Sequence, residues 1–174
     1  MFEVPSLPPS VPGMRLFDAL RRRILASAGR VQIGFDVVSV EREGRHVIAI
    51  HTEAASRTLR LAANAFVLAT GGIAGAGIRA LPDGELVERV FGLPVVGPEH
   101  ASWFSDDPLT PHPLEVAGIE VDEQLAPAGL KNVRVIGSAL AGMRYLDERC
   151  GDGVALASAH RAARSLGAPR AVAA

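Results

Sequence analysis

Apolar residues recur at every fourth position from Leu16 through Leu20 and Ile24 to Ala28, a spacing that predicts an amphipathic helix over 14–28. Arg15, Arg21, Arg22 and Arg23 occupy most of its remaining surface, and Gly29 stands where helices commonly end in a left-handed residue. Upstream, Pro5, Pro8, Pro9 and Pro12 argue against regular structure over 5–13. Val31, Ile33 and Phe35 then alternate and run into Val37, Val38 and Val40, which predicts a first strand. With a turn at Glu43 and Gly44, a strand over 47–52, a turn over 54–56 and a short strand over 58–61, residues 31–61 read as an antiparallel β-meander. Ala65-Phe66-Val67-Leu68-Ala69 is instead apolar throughout, as in a strand covered on both faces, and it stops at Thr70-Gly71-Gly72.

Residues 75–124 carry Pro82, Pro94, Pro98, Pro108, Pro111 and Pro113 and form an irregular insert, with a short helix expected around 85–90 and a hairpin over 118–125. Val133–Ile136 is a further strand ending in Gly137-Ser138, and an alanine-rich helix closes the pattern over 153–166. Both glycine-containing strand ends are expected to point to one place, because ligands of open α/β sheets gather outside the carboxyl ends of parallel strands.

The 174 residues make one domain's worth of sequence, and 48% apolar content supports a substantial core. A net charge of −1 disfavours binding to a nucleic acid. Cys150 is the single cysteine, which excludes an intrachain disulfide and an iron–sulfur cluster held by this chain alone, and makes a reducing, cytoplasmic setting the default. No long apolar run predicts a membrane span.

Chemistry concentrates at the glycines. Gly137, Ser138 and Gly142 follow a strand, and Cys150-Gly151-Asp152-Gly153-Val154-Ala155 opens a helix whose first N–H groups suit a phosphate or the electron-rich edge of a reduced flavin. The same glycines would also serve a plain tight turn. A rival motif, Gly75-Ala76-Gly77-Ile78-Arg79-Ala80, fits G-x-G-x-x-A, but Pro82, Asp83 and Gly84 interrupt the helix that such a fingerprint requires. His112, held between two prolines, is a candidate proton acceptor for alcohol oxidation or an exposed loop histidine. Arg144 is a candidate clamp for a substrate phosphate or an ion-pair partner of Asp147 or Glu148. Asp106, Asp107 and His112 do not make a convincing metal site.

In order, Leu7-Pro8-Pro9-Ser10-Val11-Pro12-Gly13, the helix and meander, Phe66 to Gly72, Asn132 to Gly137, Gly142 and Cys150 to Ala155 resemble the C-terminal portion of the B-subunit flavoproteins of anaerobic glycerol-3-phosphate dehydrogenase. The resemblance implies a partial FAD/NAD(P)-binding, Rossmann-like α/β fold with an antiparallel meander, lacking the family's N-terminal G-x-G-x-x-G unit. It implies a flavin, FMN or FAD, with Thr70, Gly71 and Gly72 beside the nucleotide part. Gly137 and Ser138 would lie along the ribityl chain, Gly142 is a further cofactor-binding position, and Gly151, Asp152, Gly153, Val154 and Ala155 would lie at the pyrimidine edge. Many related flavoproteins have an acid after the equivalent of Gly137, where this chain has Ser138. The implied activity is oxidation of the polyol phosphate glycerol 3-phosphate, with electrons passed towards quinone. The implied partners are a larger flavoprotein subunit and an iron–sulfur subunit, peripheral at the inner face of the membrane. The alternative is a non-catalytic remnant or assembly piece of such a complex.

Overall fold

The computed structural model describes residues 10–54 and 57–167. Contacts divide the chain into two units, Met1–Asp36 and Val37–Ala174. The expectation for Pro5, Pro8 and Pro9 lies outside the described residues.

In the first unit, helix α1 spans Val11–Ala26, three residues earlier than the apolar spacing suggests. Ser10 caps it, its Oγ accepting the Gly13 N–H at 3.1 Å, and Pro12 is tolerated because the first-turn N–H groups have no helical partner. At the other end the left-handed residue is Ala28, with φ of 59°, and not Gly29. The Gly29 N–H reaches the Ile24 carbonyl at 2.9 Å and the Ala28 N–H that of Leu25 at 3.1 Å, a Schellman closure. Gly29 is required for proximity: a Cβ there would stand 2.6 Å from Ile24 Cγ2.

The second unit opens with the meander, β1 (Asp36–Glu43), β2 (His46–Ala54) and β3 (Arg57–Ala62), in the order β1-β2-β3. The expected strand over 31–40 is therefore shifted: 31–35 stay outside the ladder, and pairing starts where alternation weakens. Strands β2 and β3 are antiparallel, with His51 opposite Arg60. The apolar run yields β4 (Phe66–Leu68), which pairs in parallel with β7 (Val133–Val135), Leu68 beside Val135. Asn132 ties the meander to this ladder. Its Oδ1 accepts the Val47 N–H at 2.9 Å, and its Nδ2 donates to the carbonyls of Val47 at 2.8 Å and Asn64 at 3.2 Å. The main core forms at that junction, where Val47 packs with Leu68, Val133, Val135 and Ile119.

Within the insert, β5 (Ile78–Ala80) and β6 (Leu86–Glu88) make an antiparallel hairpin around Pro82-Asp83-Gly84. Strand β6 replaces the helix expected around 85–90. Glu88, 1% exposed, explains it: its carboxylate accepts the N–H groups of Val90, Phe91 and Leu93, fixing the turn that follows. The expected hairpin over 118–125 is a looser arrangement of bridges, Val96 to Gly118, Ile119 to Leu140 and Val121 to Pro127. Trp103, Leu114 and Ala117 form a second apolar cluster, touched by Ile73 and Leu86. Helices α2 (Tyr145–Glu148) and α3 (Gly151–Ser165) complete the unit.

Candidate functional site

The strand ends after β4 and β7 meet. Ser138 Oγ accepts the Gly72 N–H at 3.1 Å, and a Cβ at Gly72 would overlap the Ser138 carbonyl oxygen, so only glycine permits this approach. Helix α3 is drawn to the same point by Ser158, 7% exposed, whose Oγ accepts the Gly137 N–H at 2.9 Å and donates to the Val154 carbonyl. The result is a cavity of about 550 Å3 lined by Gly72, Ser138, Gly151, Asp152 and Ala155, with Ile73, Ala74, Glu115, Ala117, Met143, Tyr145 and Leu146. Its walls are mainly apolar, and Glu115 and Asp152 are the ionisable groups besides the Tyr145 phenol. Among the described residues no Lys or Arg lines it.

Helix α3 begins at Gly151 with no side-chain cap on its N-terminus, and Val154 is the first residue whose N–H returns a helical bond, to Cys150, at 2.8 Å. Amides at the start of α3 are thus left for a ligand, at the positive end of the helix. An uncapped helix end, a serine hydroxyl and apolar walls fit a flat, largely apolar ring with an electron-rich edge. That is the isoalloxazine end of a flavin. A dianionic phosphate fits this carboxylate-bearing lining poorly.

The other expected residues are distributed as follows. Thr70 and Gly71 form the turn out of β4, which packs against Gly77 so closely that a Cβ on Gly77 would overlap the Gly71 carbonyl. Since Ile78–Ala80 is a strand, the Gly75-Ala76-Gly77 match opens no helix and is no dinucleotide fingerprint. Gly137 spends its N–H on Ser158. Gly142 lines a different, more open cavity of about 850 Å3 with Gly97, Ile119 and Leu140. Gly153 and Val154 lie in the first turn of α3 but do not line the flavin-sized cavity.

The two side chains expected to serve catalysis lie outside this lining. His112 Nδ1 accepts the Ser105 N–H at 3.0 Å and its ring meets Phe104 edge to face, so it fastens its own loop and does not line the cavity. Arg144 Nε donates to Asp147 Oδ2 at 2.9 Å, the ion pair that its neighbours allow, and it too is absent from the lining. The Cys150 thiol donates to Glu148 Oε2 at 3.2 Å, which raises its pKa and keeps it protonated. Glu115 was not legible beforehand. It lies in the insert, held by Leu114 in the second apolar cluster, and its Oε2 accepts the Leu146 N–H at 3.3 Å. Among the described residues no group of three or more His, Cys, Asp or Glu side chains is placed to hold a metal ion.

A parallel strand pair carrying a glycine-lined cavity against the uncapped start of a helix, with an antiparallel meander beside it, is a partial Rossmann-like flavoprotein fold. The chain belongs to the FAD binding domain family, whose model matches residues 1–154. Over 169 residues it is 32% identical to the probable B-subunit of anaerobic glycerol-3-phosphate dehydrogenase from Halobacterium salinarum, covering 93% of this chain and 39% of that protein. Over 181 residues it is 33% identical to the B-subunit of anaerobic glycerol-3-phosphate dehydrogenase from Vibrio vulnificus, covering 99% and 41%. The corresponding protein of Yersinia pestis is 32% identical over 161 residues, covering 90% and 38%. The chain thus spans about two fifths of the length of the curated relatives it matches. No solved structure matches it. No helix among the described residues is long and apolar enough to cross a membrane.

Proposed function

We propose that this chain forms the part of a flavin-dependent oxidoreductase that holds the isoalloxazine and ribityl portions of FAD, in an enzyme of the type to which the glycerol-3-phosphate dehydrogenase B-subunits belong. The observation that carries this reading is the convergence of Gly72, Ser138, Gly151, Asp152 and Ala155 on one cavity from three separate stretches of chain. Bound FAD supplies acceptance of a hydride equivalent and its onward release as electrons. The start of α3 orients donors towards the ring edge where negative charge grows on reduction, and Ser138 offers a hydroxyl to the ribityl chain. Ile73, Met143 and Leu146 exclude water from the ring face. Because the described lining holds carboxylates and no cation, the phosphate of glycerol 3-phosphate is bound by groups outside this cavity. The electrons pass to quinone through a partner flavoprotein subunit and an iron–sulfur subunit, with the complex peripheral to the membrane.

The test is anaerobic addition of glycerol 3-phosphate to the native complex containing this chain, followed by flavin absorbance and by identification of the released cofactor. Bleaching of a flavin identified as FAD, with much weaker retention in Ser138→Ala, is the expected result. A complex without flavin, or with a flavin that the substrate does not reduce, overturns it.

A further inference from the structure

A cavity of about 450 Å3 elsewhere in the second unit is lined by Arg45, Lys131 and Arg134, together with Glu120 and Asp122, and shares no residue with the flavin cavity. Arg134 projects from β7 and is only 6% exposed. Its Nε donates to Ser165 Oγ at 2.9 Å and its Nη1 to the carbonyls of Lys131 at 3.0 Å and Val133 at 2.8 Å. These acceptors orient the guanidinium but do not neutralise it. Among the described residues Nη2 has no acceptor, and no carboxylate forms an ion pair with Arg134. Nη2 is not among the buried side-chain atoms left without a partner, so it keeps contact with solvent and stays open to a ligand.

The lining's two carboxylates, Glu120 and Asp122, stand against these three cations and leave one positive charge in excess. Asp122 Oδ1 accepts the N–H groups of Gln124 at 2.8 Å and Ala126 at 2.9 Å, which holds it in its own turn. Glu120 is exposed and makes no ion pair among the described residues. Arg45 and Lys131 are fixed to each other through the backbone, the Lys131 N–H donating to the Arg45 carbonyl at 2.9 Å. Three cations from two segments therefore line one small cavity, and the most buried of them has a free donor.

We infer that this cavity binds a small oxyanion of the phosphate type, with Arg134 Nη2 as the fixed inner donor and Arg45 and Lys131 closing over the outer oxygens. Charge-assisted hydrogen bonds to a planar guanidinium suit that ligand.

The experiment is thermal unfolding of the full chain in low-millimolar inorganic phosphate against sodium chloride at matched ionic strength. Phosphate should raise the melting temperature by about 2–4 °C over chloride, as ligand linkage requires. The double variant Arg45→Gln/Lys131→Gln leaves the bonds of Arg134 to Ser165 and the two carbonyls in place. It should melt like the parent in chloride and lose the phosphate increment. Broadening of the inorganic phosphate 31P resonance by the parent, absent with the variant, is the second expected readout. An identical response to phosphate and chloride overturns the inference, and so does a phosphate increment that survives in the double variant.

Discussion

Glu41 joins three strands through its carboxylate. It lies on β1, accepts from Arg60 on β3 through Nε at 3.1 Å and Nη2 at 2.7 Å, and meets His51 Nε2 on β2 at 2.6 Å. The Arg60 hydrogen bonds, then that of His51, hold its carboxyl at about 2. A carboxyl lowered on folding stabilises the folded state above its unfolded value, near ~4.3, and that contribution is lost as pH falls through the folded value. A 13C titration of the Glu41 carboxyl should give a midpoint near 2 in the parent. In Arg60→Gln it should return towards the ordinary range, ~4.3; an unchanged midpoint would show that the strand ladder is not joined by this pair. Glu88 works differently, by accepting three backbone N–H groups in a buried turn. Glu88→Ala leaves those donors without partners and should cost about 2–4 kcal/mol in urea unfolding, whereas a loss below about 0.5 kcal/mol would mean that water replaces the carboxylate freely.

At the scale of elements, periodicity was informative wherever one face alone decided the outcome. The four-residue spacing located α1, yet its start depended on Ser10 capping Gly13, and its end on Ala28 taking the left-handed conformation that Gly29 was expected to take. The apolar run at 65–69 announced a parallel strand, and β4 pairs with β7 accordingly. What pattern could not show was long-range satisfaction of polar groups. Glu88 turned a helix-like stretch into a strand and turn, and Asn132 clamps β2 from 85 positions away. Replacement of Asn132 by Ala would orphan the Val47 N–H and carbonyl next to the core. About 2–3 kcal/mol of stability should be lost, with faster hydrogen exchange at the Val47 amide than at Glu53 near the far end of β2. Equal acceleration along the whole strand would show that the meander is not anchored there.

For the whole molecule, Gly72 and the start of α3 line one cavity, and the approach of Gly72 to Ser138 there is a requirement that glycine alone meets. The walls stayed hidden: Glu115 reaches the cavity only because the insert folds on its own cluster around Trp103 and Leu114. Geometry also separates residues that the motif groups together. At 3.6 residues per turn, positions 153 and 155 of α3 point about 160° apart, and it is Ala155 that lines the cavity. Any contact of Gly153 with the flavin is then made through its N–H, and nothing stands within 4 Å of where its Cβ would be. In the flavin-loaded complex, Ala155→Leu should therefore crowd the ring and weaken flavin binding by about 1–3 kcal/mol, roughly 5- to 150-fold in Kd. Ala155 is exposed in the chain itself, so the melting temperature of the flavin-free form should hold. Gly153→Val, on the other side of the same turn, should leave flavin affinity close to that of the parent. Equal weakening by both variants would trace the effect to disturbance of the helix start, and undiminished affinity in Ala155→Leu would remove this cavity as the flavin site.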